Sequence, residues 1–180
     1  FALAGPAVAT EPAGVRQFVI PVIRPASQLP VIDGHMARGE WDRAVGMTGL
    51  VSTSKGLLCQ RKGFARDISD GESIFFAMYM PAYPQGSVPE FHKHDKPVDK
   101  YMALSKSDRA EIKFVPPDAK DRGAFYLVAD AAGNYYDEIA RADHRHYDGN
   151  WQLRTSYDED GWTLEGRVRL ADLGDGPPPT

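Results

Sequence analysis

Between Trp151 and Leu170 the chain alternates apolar and polar residues in two successive runs. Trp151, Leu153, Thr155 and Tyr157 take turns with Gln152, Arg154 and Ser156. After Asp158-Glu159-Asp160-Gly161, the residues Trp162, Leu164, Gly166, Val168 and Leu170 take turns with Thr163, Glu165, Arg167 and Arg169. A period of two gives a strand one buried and one wet face, and an acidic break ending in glycine between two such runs predicts a hairpin. The wet face is then Thr163, Glu165, Arg167 and Arg169. A two-stranded hairpin is marginal in water, so it has to lie against a second layer.

The same pattern predicts further strands upstream. Ser73 to Met80 is a nearly continuous apolar run stopped by Pro81, as expected of a central strand covered on both faces. Ala110 to Val115 ends at Pro116-Pro117, and Ala124–Ala129 with Tyr135–Ala140 flank Ala131-Ala132-Gly133-Asn134 as a second hairpin. Val31-Ile32-Asp33-Gly34 predicts a short strand, and Gly39 to Ala44 a helical turn that tucks Trp41 under the sheet. Gly49 to Gln60 holds a strand or two around a Ser-Lys-Gly break. Residues 81–107 and 141–150 have no clean period, and a long connection of the former kind is commonly a binding loop. Short strands, frequent breaks and almost no helix predict an all-β, antiparallel β-sandwich.

Residues 1–28 are punctuated by Pro6, Pro12, Pro21 and Pro25. Proline fixes φ and lacks a donor, so this stretch is expected as an extended N-terminal arm with at most an edge strand. Phe18, Val19, Ile20, Val22 and Ile23 are too apolar for a free linker and are candidate partner-docking residues. The sandwich domain is expected over 29–174, followed by a Pro-rich tail at 175–180.

Composition narrows the function. Apolar residues make up 42% and charged residues 26%, with a net charge of −4, which suits a soluble globular domain and argues against neutralisation of nucleic-acid phosphates. No run approaches the roughly 20 apolar residues needed to span a bilayer. The single cysteine, Cys59, permits no internal disulfide, and its Leu57-Leu58-Cys59 setting suggests an inert buried thiol. Leu3 to Ala9 resembles the end of a signal peptide with a small-x-small cleavage site, which favours export to the periplasm or beyond. Catalytic signatures such as Gly-x-Ser-x-Gly, His-Glu-x-x-His or a phosphate-cradling glycine loop are absent, so a non-catalytic protein is expected. His92-Lys93-His94 and His144-Arg145-His146 carry His-x-His, which on a strand could present four imidazoles to zinc or copper. Neither pair sits in a convincing strand, so solvated loop histidines are the expectation. The basic residues of 91–109 are interleaved with Asp95, Asp99 and Asp108, a balance that suits a solvated or partner-facing loop.

Three stretches together resemble a known family. They are Val31-Ile32-Asp33-Gly34 with Glu40-Trp41 and Ala44, then Ser107-Asp108-Arg109-Ala110-Glu111-Ile112-Lys113-Phe114, then Asp160 to Glu165 leading to Leu170-Ala171-Asp172-Leu173-Gly174. In order and spacing they resemble family-9 carbohydrate-binding modules, over about residues 29–174, and the wider superfamily that includes haem-b subunits of ethylbenzene dehydrogenase-like enzymes. The resemblance implies a jelly-roll-like sandwich that holds a sugar end between two tryptophans, with polar side chains and structural calcium assisting. Trp41 and Trp162 fall in the fold motifs, as core. Trp151 falls where one stacking aromatic would sit. The expected partner lies just before the Asp108–Glu111 strand, where this sequence has no tryptophan, so Tyr101 or Phe91 would replace it. Asn150, Arg154 and Glu111 are the hydrogen-bonding candidates, because sugars offer apolar CH faces to rings and hydroxyls to a polar rim. Against this stands the simpler reading of Trp151 as a strand residue capping the core. Calcium would take Asp158, Glu159 and Asp160, or Asp143 and Asp148, whose alternative role is turn chemistry. The related haem subunits use a strand methionine, for which Met78 and Met80 would serve, with Met102 and His92 near in sequence. Buried methionine is ordinary packing and no Cys-x-x-Cys-His is present, so haem b is not expected. A saccharide is thus the leading partner. A structural subunit that docks on a larger, membrane-peripheral complex through its arm and the 81–107 loop is the second reading, and an electron-transfer haem subunit the third.

Overall fold

The structure, a computed structural model, describes residues 19–24, 28–51, 58–59, 61–82, 108–115, 123–140, 145–147 and 149–173, with backbone alone at 140, 145 and 146. Among the described residues nine strands form two antiparallel sheets. The five-stranded sheet has the order β1 (Val45–Thr48), β2 (Phe64–Ser69), β3 (Ser73–Pro81), β9 (Gly161–Arg169), β8 (Gln152–Tyr157). The four-stranded sheet runs β4 (Arg109–Phe114), β5 (Ala124–Asp130), β6 (Tyr135–Ala140), β7 (Arg145–His146) in sequence order. Both hairpins expected from alternation, β5–β6 and β8–β9, form as adjacent pairs. β3 is the central strand of its sheet. Val31–Gly34 forms bends and not a strand.

Register explains the core. Across β3 and β9 the inward pairs are Met80 with Trp162, Met78 with Leu164, Phe76 with Gly166 and Ile74 with Val168. They meet Ala110, Ile112 and Phe114 of β4 and Phe125, Leu127 and Ala129 of β5 to fill the space between the sheets. Gly166 is demanded by its neighbour: a Cβ there would lie 2.2 Å from the Phe76 ring.

The opposite face of β9 departs from the expectation. Glu165 is fully buried, not wet. Residues 28–44 cross the outer face of the five-stranded sheet as a strap and bring Ile32 and Trp41 onto Ile68, Phe75 and Ala77. Glu165 sits beneath the strap and holds it. Its Oε1 accepts from Trp41 Nε1 (2.9 Å), and its Oε2 from the amides of Gly34 (2.9 Å) and Asp33 (3.1 Å). Burial pushes the carboxyl pKa up, opposed by these hydrogen bonds. Gly34 adopts φ 94° and packs against the Thr155 backbone, where a side chain would crowd it. Arg43 donates to Gln28 within the strap.

Residues 19–24 are also anchored. Ile23 N donates to Ser69 O (2.7 Å) and Ser69 N to Pro21 O (2.9 Å), a parallel bridge that continues the edge of β2 beyond β1. Of the docking candidates, Ile23 is buried in the cluster under the strap and Ile20 is half-buried, while Val19 (86%) and Val22 (56%) face solvent. Phe18 lies outside the described residues.

Candidate functional site

Four connections meet at one end of the sandwich: the β8–β9 turn, the β5–β6 turn, the chain leaving β3 at Ala82, and the chain entering β4 at Asp108. Between them Ala82, Asp108, Ala131, Tyr157, Asp158, Gly161 and Trp162 line a dent of about 10 Å³. That is room for a water or a methyl group, so a larger ligand would rest on its mouth. Tyr157 has the inward parity of β8 but lies past the core, and half of it (54%) is exposed. It pairs across the hairpin with Trp162, which is buried as the floor. Asp108 accepts from Trp162 Nε1 (2.9 Å) and from both ends of the Arg61 guanidinium (2.5 and 2.6 Å). Asp158 Oδ1 accepts from the amides of Asp160 (2.9 Å) and Gly161 (3.1 Å), which shapes the turn. Asp160 O receives Tyr79 Oη (3.1 Å) and the Ala82 amide (2.7 Å). The Tyr79 pKa is raised, by burial first and then by the charges of Asp160 and Asp158, so this rim is electronegative.

No protein-family model matches the chain, and no curated protein matches it. Solved structures do. A family-9 carbohydrate-binding module from Caldicellulosiruptor kristjanssonii in complex with cellotriose superposes with a TM-score of 0.53 at 12% identity, over 83% of this chain and 65% of that one. The same source provides a family-9 module in complex with glucose, with a TM-score of 0.53, 14% identity, and coverage of 84% and 69%. Its fold resembles that of these modules. The chain spans about two thirds of the length of the modules it matches, and at such identity the likeness is one of fold.

In this module-like sandwich the residues expected to bind sugar are dispersed. Trp151 is 9% exposed. Its ring stacks on Phe114 (centroids 5.9 Å apart) and meets the edge of Tyr147, and its Nε1 donates to the buried Asp137 (2.6 Å). It caps the core just ahead of β8. Gly149 is pressed between Trp151, Tyr147 and Asp137, and its amide also reaches Asp137 (2.7 Å). Six residues of strand put Trp151 about 20 Å from Tyr157, at the other end of the sandwich. Asn150 is exposed beside Trp151. Arg154 stands opposite Glu165 on the outer face of the five-stranded sheet and donates to Leu153 O (2.7 Å). Glu111 lies on the outer face of the other sheet, paired with Arg109 (3.3 Å). Three polar candidates therefore occupy three different surfaces. Phe91 and Tyr101 lie outside the described residues, but Ala82 and Asp108, the described residues on either side of 83–107, line the Tyr157 cleft.

Among the described residues no three His, Cys, Asp or Glu side chains gather to hold a metal ion. Asp158 and Asp160 serve the β8–β9 turn as above. Asp143, Asp148, His92, His94, His144 and Met102 lie outside the described residues. Met80 packs in the core, with Met78 and Cys59 against it. No helix among the described residues is long and apolar enough to cross a membrane. Tyr157, Arg61 and Asp108 went unsingled in the sequence as binding groups. The available signal was an aromatic at the last inward position of a strand, next to an acidic turn.

Proposed function

We propose that this chain is a non-catalytic, exported recognition module that takes a saccharide at the Tyr157 end of its sandwich. The observation that carries the reading is the half-exposed Tyr157 ring at the mouth of a cleft bordered by carboxylates. A sugar's CH face stacks on such a ring, and its hydroxyls reach acceptors at the rim. The likeness in fold to modules in complex with cellotriose and glucose supports the ligand class. A binding role, as opposed to catalysis, is supported by the engagement of both cleft carboxylates. Asp108 is held by Arg61 and Trp162, and Asp158 Oδ1 by two amides.

The test is titration with glucose, cellotriose and a panel of neutral oligosaccharides, followed by calorimetry and tryptophan fluorescence. Trp162 beneath Tyr157 should report binding as a change in emission, and Tyr157→Ala should weaken affinity about tenfold, the scale of a lost stacking anchor. A panel that gives neither heat nor a fluorescence change sinks the saccharide reading. The second reading, a docking subunit, is favoured by the exposed Val19 and Val22 beside the anchored Ile23. It expects Val19→Ser/Val22→Ser to detach the chain from a native complex while its folding is unaffected.

A further inference from the structure

The chain leaves the described structure at Ala82 and re-enters it at Asp108, both in the wall of the Tyr157 cleft. A single guanidinium joins these two points. Arg61 Nη1 donates to the carbonyl of Pro81, the last residue of β3 (3.0 Å), and to Asp108 Oδ2 (2.5 Å), while Nη2 donates to Asp108 Oδ1 (2.6 Å). The two side chains are 9% and 6% exposed, and Asp108 Oδ2 also receives the indole N–H of Trp162 (2.9 Å). Resting on the reading of the cleft as the binding site, we infer that Arg61 and Asp108 are its positioning pair. They fix the separation of the two stems of residues 83–107 and the tilt of the Trp162 floor, and hence the shape presented beside Tyr157.

Stability alone is a poor reason for this arrangement. Removing two charges from water is costly, and a neutral, well-packed replacement of a buried ion pair commonly leaves a fold as stable or more so. What a neutral pair cannot reproduce is the fork, because guanidinium and carboxylate meet in one plane through two parallel hydrogen bonds. A third hydrogen bond to Pro81 O transmits that geometry to the opposite stem. Neither residue needs to touch the ligand for this.

The experiment compares wild type with the double variant Arg61→Met/Asp108→Asn, which deletes both charges and keeps an acceptor for the Trp162 indole. Three readouts are taken: the urea midpoint, mass-mapped trypsin cleavage after Lys93, Lys100 and Lys106, and affinity for cellotriose and the neutral panel. The expected result is a near-wild-type midpoint, with cleavage in 83–107 about tenfold faster and affinity about tenfold weaker, the scale at which a loosened supporting shell degrades a site. Unchanged cleavage and affinity in a stable double variant overturn the inference, and so does a wild type already cut as fast as the variant. If wild type binds no saccharide yet the variant is cut faster, the positioning pair stands and the saccharide reading falls. Should the double variant fail to fold, Arg61→Lys decides, since a lysine keeps the charge but cannot fork. Faster cleavage in that variant sustains the inference, and wild-type protection overturns it.

Discussion

Glu165 illustrates how one side chain holds a distant segment. It accepts hydrogen bonds from Asp33, Gly34 and Trp41 in a site without water access. Glu165→Gln places an amide N–H where a donor already points, so about 1–3 kcal/mol of stability should be lost in urea unfolding. Asp67 makes the opposite point. It shares the inward face of β2 with its partner Phe76, and burial pushes its pKa from 3.8 up to about 6. A folded-state pKa above the unfolded value means that the folded state binds more protons between those limits. Stability should therefore fall as pH rises from about 4 to about 6 and level off above, by on the order of 2 kcal/mol after allowing for partial solvent access. Glu165, shifted in the same direction, adds to the slope. Asp67→Asn should flatten most of it and raise stability at pH 7, as measured by urea midpoints across pH. An unaltered slope would show that other groups carry it.

Among the elements, β4, β5, β6, β8 and β9 were legible from their apolar and polar pattern and β3 from its continuous apolar run, whereas β1, β2 and β7 were not expected. Trp162, Leu164 and Val168 occupy the positions their spacing predicts, as do Phe125 and Leu127. Glu165 was not legible because its cover arrives from residues more than 120 positions away in the chain, which no local period can report. Trp151 reads the same as core cap or sugar platform in sequence, and only the stacked Phe114 and the buried Asp137 separate the two. At Gly166 the fit between β9 and β3 is tight enough to test. Gly166→Ala should cost about 1–3 kcal/mol through overpacking, and Phe76→Leu in the same chain should recover part of that loss. If the pair of substitutions is merely additive in urea unfolding, the ring is not the obstacle.

At the scale of the whole molecule, the two ends of the sandwich differ. Trp151, Tyr147 and Gly149 close the far end, where Tyr147 donates to Asp172 O and burial first, with the nearby acids, pushes its pKa to about 12. The Tyr157 end carries the turns, the loop stems and the acidic sequence Asp158-Glu159-Asp160. Coupled with a net charge of −4, that rim should disfavour uronate-bearing oligosaccharides by about fivefold relative to neutral counterparts at low salt, the gap narrowing as salt screens it. Calorimetry at two ionic strengths checks this, and equal affinities would place the ligand elsewhere.

All three tryptophans donate their indole N–H to a carboxylate: Trp41 to Glu165, Trp151 to Asp137 and Trp162 to Asp108. Each bond marks a different region, namely the strap, the closed end and the cleft. A nitrogen-labelled sample would accordingly show three downfield indole resonances, each an independent gauge of its own neighbourhood. Ligand contact should move one of the three and leave its two siblings still.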